Sequence, residues 1–147
     1  MTRRLTRYAQ WAVLLAFAGS ALAPGVALGQ GDDRTRVYAA PRDRVWTVTR
    51  STLKGLGWDI DREDREGGWI RTDSRRLEGE DYGVYAKGTR QRLRVVVKAL
   101  DPGRTQVTVE RRVWTQERIL WMDKEQDVQV PDHKAEQAIL DAIAAAI

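Results

Sequence analysis

At 147 residues and with no cysteine, the chain has room for one core but cannot form a disulfide framework, a thiolate metal site or a cysteine nucleophile. Its formal charge of +4 comes largely from the first 29 residues, where Arg3, Arg4 and Arg7 meet no acidic residue; the remainder carries 22 basic against 21 acidic side chains. That near-balance removes the compositional argument for nucleic-acid binding, which needs a surplus of Lys and Arg to neutralise phosphates, and leaves only local basic patches open.

Residues 1–29 read as an export signal in three parts: the basic start, an apolar run from Trp11 to Ala23, and small residues before a cut. A run of about 13 residues is too short to cross ~30 Å of hydrocarbon as a helix, so a removed signal is expected rather than an anchor. Two cuts compete. Ala21-Leu22-Ala23 fits the small-x-small rule but precedes Pro24, whereas Ala27-Leu28-Gly29 precedes Gln30 and is preferred. Arg3-Arg4 suggests twin-arginine export, but Thr6-Arg7 stand where that signal carries large apolar residues, so general export is expected. The mature chain then has a short linker over 30–35 and a single domain over 36–147, placed in the periplasm or at the periphery of the outer membrane.

The alternation in Arg36-Val37-Tyr38-Ala39 predicts a first strand, halted by Ala40-Pro41. Pro41 suits a first helical position, with Asp43 placing negative charge in the first turn. Val45, Trp46, Thr49, Leu53 and Leu56 recur at helical spacing, and Gly55 and Gly57 end the helix. Trp58, Ile60 and Arg62 then alternate with Asp59, Asp61 and Glu63, a half-buried strand with its acidic side in water. After the turn Arg65-Glu66-Gly67-Gly68, Trp69 to Ser74 returns as a strand, with Ile70 and Thr72 on one face and Trp69 and Arg71 on the other.

Residues 76–92 carry Gly79, Tyr82, Gly83, Tyr85 and Gly88 among charges and read as a long, mobile connection. The plainest hairpin follows. Leu93, Val95, Val97 and Ala99 alternate into Asp101-Pro102-Gly103-Arg104, and Val107, Val109, Arg111 and Val113 alternate away from it. Pro131-Asp132 opens a second helix whose stripe is Ala135, Ala138, Ile139, Ala142, Ile143 and Ala146. The order strand, helix, four strands, helix predicts an α+β two-layer sandwich, an antiparallel sheet with both helices on one face.

Three segments, Val37-Tyr38-Ala39-Ala40-Pro41-Arg42-Asp43-Arg44-Val45-Trp46, Leu53-Lys54-Gly55-Leu56-Gly57-Trp58-Asp59-Ile60 and Gly67-Gly68-Trp69-Ile70-Arg71-Thr72, together resemble the opening of the helix-grip domains of envelope lipoproteins. These are the domains of the BamC-like subunit of the outer-membrane β-barrel assembly machinery. The likeness covers roughly residues 36–147 in element order, with the motif confined to 37–73. It departs from that family in carrying one such domain rather than two, and in lacking the acylated cysteine and the long extended N-terminal segment. The resemblance implies the fold and, more remotely, a role in outer-membrane assembly or maintenance.

Reactive groups are sparse. His133, the only histidine, sits at the start of the second helix with no serine near it in sequence, and no nucleophile motif surrounds Ser51 or Ser74. Asp59, Asp61, Glu63, Asp64 and Glu66 form the densest carboxylate group, but Arg62 and Arg65 interrupt it and the spacing is not that of a calcium loop, so a solvated face is expected rather than a metal site. No catalytic residue, metal or cofactor is therefore expected.

Trp46, Trp58, Trp69, Trp114 and Trp121 are a heavy aromatic load for one domain. Trp46 and Trp58 occupy core positions. Trp69 and Trp114 fall on the strand face opposite the alternating Ile and Val, where they either line an exposed surface or pack on each other and on arginine stems. Ile119-Leu120-Trp121-Met122 is either a buried strand end or a docking patch. The residues expected to meet a partner are Trp114, Trp121, Met122, Tyr82, Tyr85 and Trp69. The expected role is non-catalytic, a protein-interaction module for envelope proteins, with peripheral membrane association open. The alternative is a carrier of a small apolar ligand or lipid held between helices and sheet.

Overall fold

The computed structural model describes residues 32–147; the predicted export signal lies outside the described residues. The order is β1 (Thr35–Tyr38), α1 (Arg42–Gly55), β2 (Ile60–Asp64), β3 (Trp69–Thr72), β4 (Arg75–Asp81), β5 (Tyr85–Asp101), β6 (Arg104–Ile119), β7 (Met122–Asp127) and α2 (Lys134–Ala146). All strand pairs are antiparallel, in one sheet that runs β1-β6-β5-β3-β2, with β4 on β5 and β7 on β6. Both helices pack on β5 and β6 or their neighbour β1, and on each other, giving the two-layer α+β arrangement.

Helix α1 buries Val45, Trp46, Thr49 and Leu53, as their spacing dictates, and leaves Leu56 exposed just past its end. Pro41 stands one position earlier than expected, as the extended N-cap residue. At the other end Gly57 takes a positive φ, its N–H donates to the carbonyl of Lys54, and the N–H of Trp58 donates to that of Leu53. This Schellman closure turns the chain so that Trp58 enters the core beside Leu53. The guanidinium of Arg75 covers its outer face at 3.8 Å.

The stripe of α2 differs from expectation. Glu136, Ile139, Leu140 and Ile143 are buried, while Ala138 and Ala146 face solvent. Burial scales with apolar area, so the large Leu140 and Ile143 set the rotation of the helix and the alanines follow. Glu136 is consequently drawn inside, where the guanidinium of Arg111 on β6 donates to it at 3.3 Å.

The core lies between the helices and one half of the β5–β6 hairpin. Leu93, Val95 and Val97 on β5, Val107 and Val109 on β6, and Ile70 on β3 meet Val45, Leu53, Ile139, Leu140 and Ile143. Polar side chains tie its margins. The Tyr38 hydroxyl donates to the Leu140 carbonyl at 2.7 Å, Thr105 donates to the Ala40 carbonyl at 2.8 Å, and Thr72 accepts the Leu93 N–H at 3.0 Å.

The other half of the hairpin has no helix over it. Strand β5 has 17 residues, roughly 55 Å of extended chain, and only residues from about Leu93 onward lie under the helices. The remainder projects as a four-stranded arm in which β4 continues along the edge of β5 used by β3, and β7 along the edge of β6 used by β1. Residues 76–92, expected as a mobile connection, are instead most of β4, a tight turn and the first half of β5. The expected order of strand, helix, strands and helix holds, with β4 and β7 as added edge strands. Neither has an apolar face to announce it: every residue of β7 is exposed, and so are six of the seven in β4.

The acidic segment is partnered by arginine. Asp61 accepts from Arg71 at 2.5 Å, Glu63 pairs with Arg50 at 2.6 Å, and Asp64 accepts the N–H of Gly67 within the turn. None of the helices among the described residues is long and apolar enough to cross a membrane.

Candidate interaction surface

Two tight turns close the far end of the arm. Between β4 and β5, Tyr82 and Tyr85 pair across Gly83-Val84, with Gly83 at a φ of 81° and its N–H held by the Asp81 carboxylate at 3.0 Å. Between β6 and β7, Ile119 faces Met122 across Leu120-Trp121. The Leu120 N–H donates to the Val84 carbonyl at 2.7 Å, and Arg118 donates to the Gly83 carbonyl at 3.3 Å. These bonds lock the two turns into one tip.

Leu120 has a φ of 57°, the one non-glycine residue among those described with a positive φ. A two-residue hairpin with left-handed φ at its first central position normally places glycine there, because a Cβ crowds the following carbonyl. A leucine at that position is disfavoured by about 1 kcal/mol or more, and it gains nothing by burial, since it is exposed. The turn thus holds an unfavourable backbone conformation at a residue whose side chain, like that of Trp121 beside it, lies in solvent.

The outcome is a contiguous apolar end. Trp121 is 84 % exposed, Tyr82 67 %, Val84 66 % and Met122 60 %, with Leu120 and Ile119 exposed beside them. Single exposed apolar residues are ordinary; six clustered on two adjoining turns are not. Tyr85 stands at the edge, half-buried, its hydroxyl donating to Glu117 at 3.2 Å. Burial, and then that carboxylate, push its phenol above the usual tyrosine value.

Of the residues expected to meet a partner, the structure gathers Tyr82, Tyr85, Trp121 and Met122 at this tip. Of the two readings left open for residues 119–122, the exposed patch is the one the structure has. Trp114 and Trp69 are elsewhere. Trp114 lies five residues back along β6, about 17 Å from the tip, and only 5 % of it is exposed. Its ring packs beneath two guanidinium groups, Arg112 at 4.9 Å and Arg92 at 5.6 Å. An exposed Trp114 is therefore corrected: arginine stems cover it. Trp69 is half-buried on β3 opposite Val96, while Trp114 sits opposite Arg90, so five residues of β5 lie between the two rings' positions and they do not stack.

Val84 was missing from the expected set. Its signal was the Gly83-Val84 dipeptide between two tyrosines, a hairpin turn that reads as a loop when the flanking strands are polar. His133 is the N-cap residue of α2, with Nδ1 3.6 Å from the buried Glu136 carboxylate, and no serine among the described residues is hydrogen-bonded to it. No group of histidine, aspartate and glutamate side chains among the described residues is arranged to hold a metal ion. No protein-family model matches the chain, and no curated protein does so either.

Proposed function

We propose that this chain is a non-catalytic interaction module of the cell envelope that engages another protein through the tip of its arm. The single observation behind this reading is the exposed cluster of Tyr82, Val84, Leu120, Trp121 and Met122 on hydrogen-bonded turns held away from the core. Tryptophan, tyrosine and methionine are enriched at protein interfaces, and a rigid turn loses little conformational entropy when its side chains are covered. The resemblance to helix-grip domains of envelope lipoproteins narrows the partner to components of outer-membrane assembly or maintenance. The export signal expected from the sequence of residues 1–29 is in keeping with that location.

The apolar-ligand alternative is less well supported. The side chains between helices and sheet fill their space with large aliphatic groups, and the depressions on the arm are lined by charged and polar side chains.

A photocrosslinking residue placed at position 121 of the full chain in cells is expected to capture one defined envelope protein, and the same residue at position 98 is not. The purified captured protein should bind the full chain at least tenfold more weakly after Trp121→Ser, the loss expected when a central aromatic anchor is removed. Equal capture at 121 and 98, or an affinity indifferent to Trp121→Ser, would refute the proposal.

A further inference from the structure

We propose that the face of the arm turned away from the helices binds a phosphate-type oxyanion among Arg76, Arg90, Arg118 and Gln116. Side chains alternate along β5 and β6, so the residues opposite the core positions share this second face. The register sets Arg76 directly across from Arg90, Arg90 across from Trp114, Gly88 across from Gln116, and Ala86 across from Arg118. The small residues Gly88 and Ala86 form the floor of a depression of about 180 Å³, and the guanidinium groups and the Gln116 amide rise around it.

The arginines are poorly matched to their own surroundings. Like charges directly opposed on adjacent strands repel, yet Arg76 faces Arg90, and neither is ion-paired among the described residues. The Nε of Arg90 is buried with no acceptor, while its Nη1 donates to Gln116 Oε1 at 3.2 Å. That bond uses the Gln116 carbonyl oxygen and leaves its NH₂ outside the bond, on a residue that lines the depression. Arg118 closes the tip end of the depression, donating to the Gly83 carbonyl at 3.3 Å, 3.7 Å from Asp81 and directly across from Asp123 on β7. Asp81 and Asp123 stand on the lining against three guanidinium groups, because the Lys87 side chain projects from the opposite face, where it stands directly across from Glu117.

The ligand class follows from this donor set. A carboxylate is satisfied by one bidentate guanidinium, whereas three guanidinium groups on different strands and an amide suit an anion with several oxygens in a tetrahedral arrangement. The side chains on this face carry a net charge of +1, which favours an anion over a cation. Glycine at position 88 is required by the close approach of β4, since a Cβ there would lie 2.9 Å from the Glu78 carbonyl. The phosphate can be free or carried on a lipid headgroup.

The test titrates the full chain with inorganic phosphate at constant ionic strength in chloride, following heat and the Arg Nε–H resonances. Saturable binding below about 10 mM is expected, with the Arg90 Nε–H signal displaced. Arg76→Gln and Arg90→Gln should each weaken binding roughly tenfold while far-UV spectra stay unchanged, and Lys98→Gln should have no effect. Vesicles of phosphatidylcholine with and without phosphatidic acid form the second arm. Arginine-dependent binding to the phosphatidic acid vesicles assigns the site to a headgroup phosphate, and binding of free phosphate alone assigns it to a soluble one. Absence of phosphate binding overturns the proposal. So does binding that persists in folded Arg76→Gln and Arg90→Gln, or vesicle binding that ignores both. The site does not use Trp121, so Trp121→Ser leaves phosphate binding intact, and failure here is distinguishable from failure of the protein-partner reading.

Discussion

Truncating Trp114 and Trp121 separately to alanine should give markedly unequal losses of stability, although both residues belong to the same β5–β6–β7 unit. A fully buried indole removes up to about 250 Å² from water, and Trp114 is 5 % exposed. At about 25 cal/mol per Å² the transfer term approaches 6 kcal/mol, an upper bound because the unfolded chain already shields part of it. The covering groups are the flexible stems of Arg92 and Arg112, which can settle into the vacated space, so the loss should fall near the lower end of tryptophan truncations, about 3 kcal/mol. Trp121, 84 % exposed, has only about 40 Å² covered and contributes no more than about 1 kcal/mol. Urea unfolding followed by far-UV circular dichroism measures both without relying on the fluorescence of the altered residue. With a slope of about 1.5 kcal/mol/M, Trp114→Ala should lower the midpoint by about 2 M and Trp121→Ala by less than about 0.7 M. Equal shifts, or a larger one at 121, would show that the arm does not place these rings as described.

Two further outcomes follow from buried polar groups. Arg111→Leu leaves the Glu136 carboxylate inside without its guanidinium and should destabilise the domain by about 3–5 kcal/mol in thermal or urea unfolding; Arg111→Leu with Glu136→Leu should recover most of that, and no recovery would contradict the pairing. Burial pushes the Tyr38 phenol up to about 12, above its value in an unfolded chain. Because the folded state holds this proton more tightly, the associated stability is complete below about pH 10 and is lost as pH rises toward 12. Unfolding midpoints measured across that window should fall, and should fall less in Tyr38→Phe.

How much of this molecule can be read along the chain depends on whether an element buries a face. The 93–99 and 105–113 strands alternate because one side meets the helices, and α1 carries its stripe for the same reason, so those elements and the core residues Trp46 and Trp58 are legible. At α2 the period is legible but the phase is not. Counting small and large apolar residues alike points to Ala138 and Ala146, whereas packing selects Leu140 and admits Glu136 on account of Arg111, a residue of another strand.

The tip was legible as composition and not as geometry. Ile119-Leu120-Trp121-Met122 is visibly apolar, and Tyr82 and Tyr85 are visibly aromatic, but nothing local says that the two stretches adjoin. That follows from a register in which Tyr85 pairs with Ile119 at the end of a regular run from Ala99–Thr105 along β5 and β6. Trp114 illustrates the converse. Its place on the face opposite the core positions is read correctly from alternation, yet its burial is decided by Arg92 and Arg112, whose long stems reach over it.

By itself, the amino-acid order determined the two helices, the central hairpin and the α+β class, because burial against a core imposes a period on residue type. Only the tertiary structure decided that the hairpin outruns its helices, that β4 and β7 extend it into an arm, and that two turns meet at its end. Backbone hydrogen bonds hold those edge strands with both faces in water, and backbone groups are the same at every residue, so such pairing leaves no mark in the side chains.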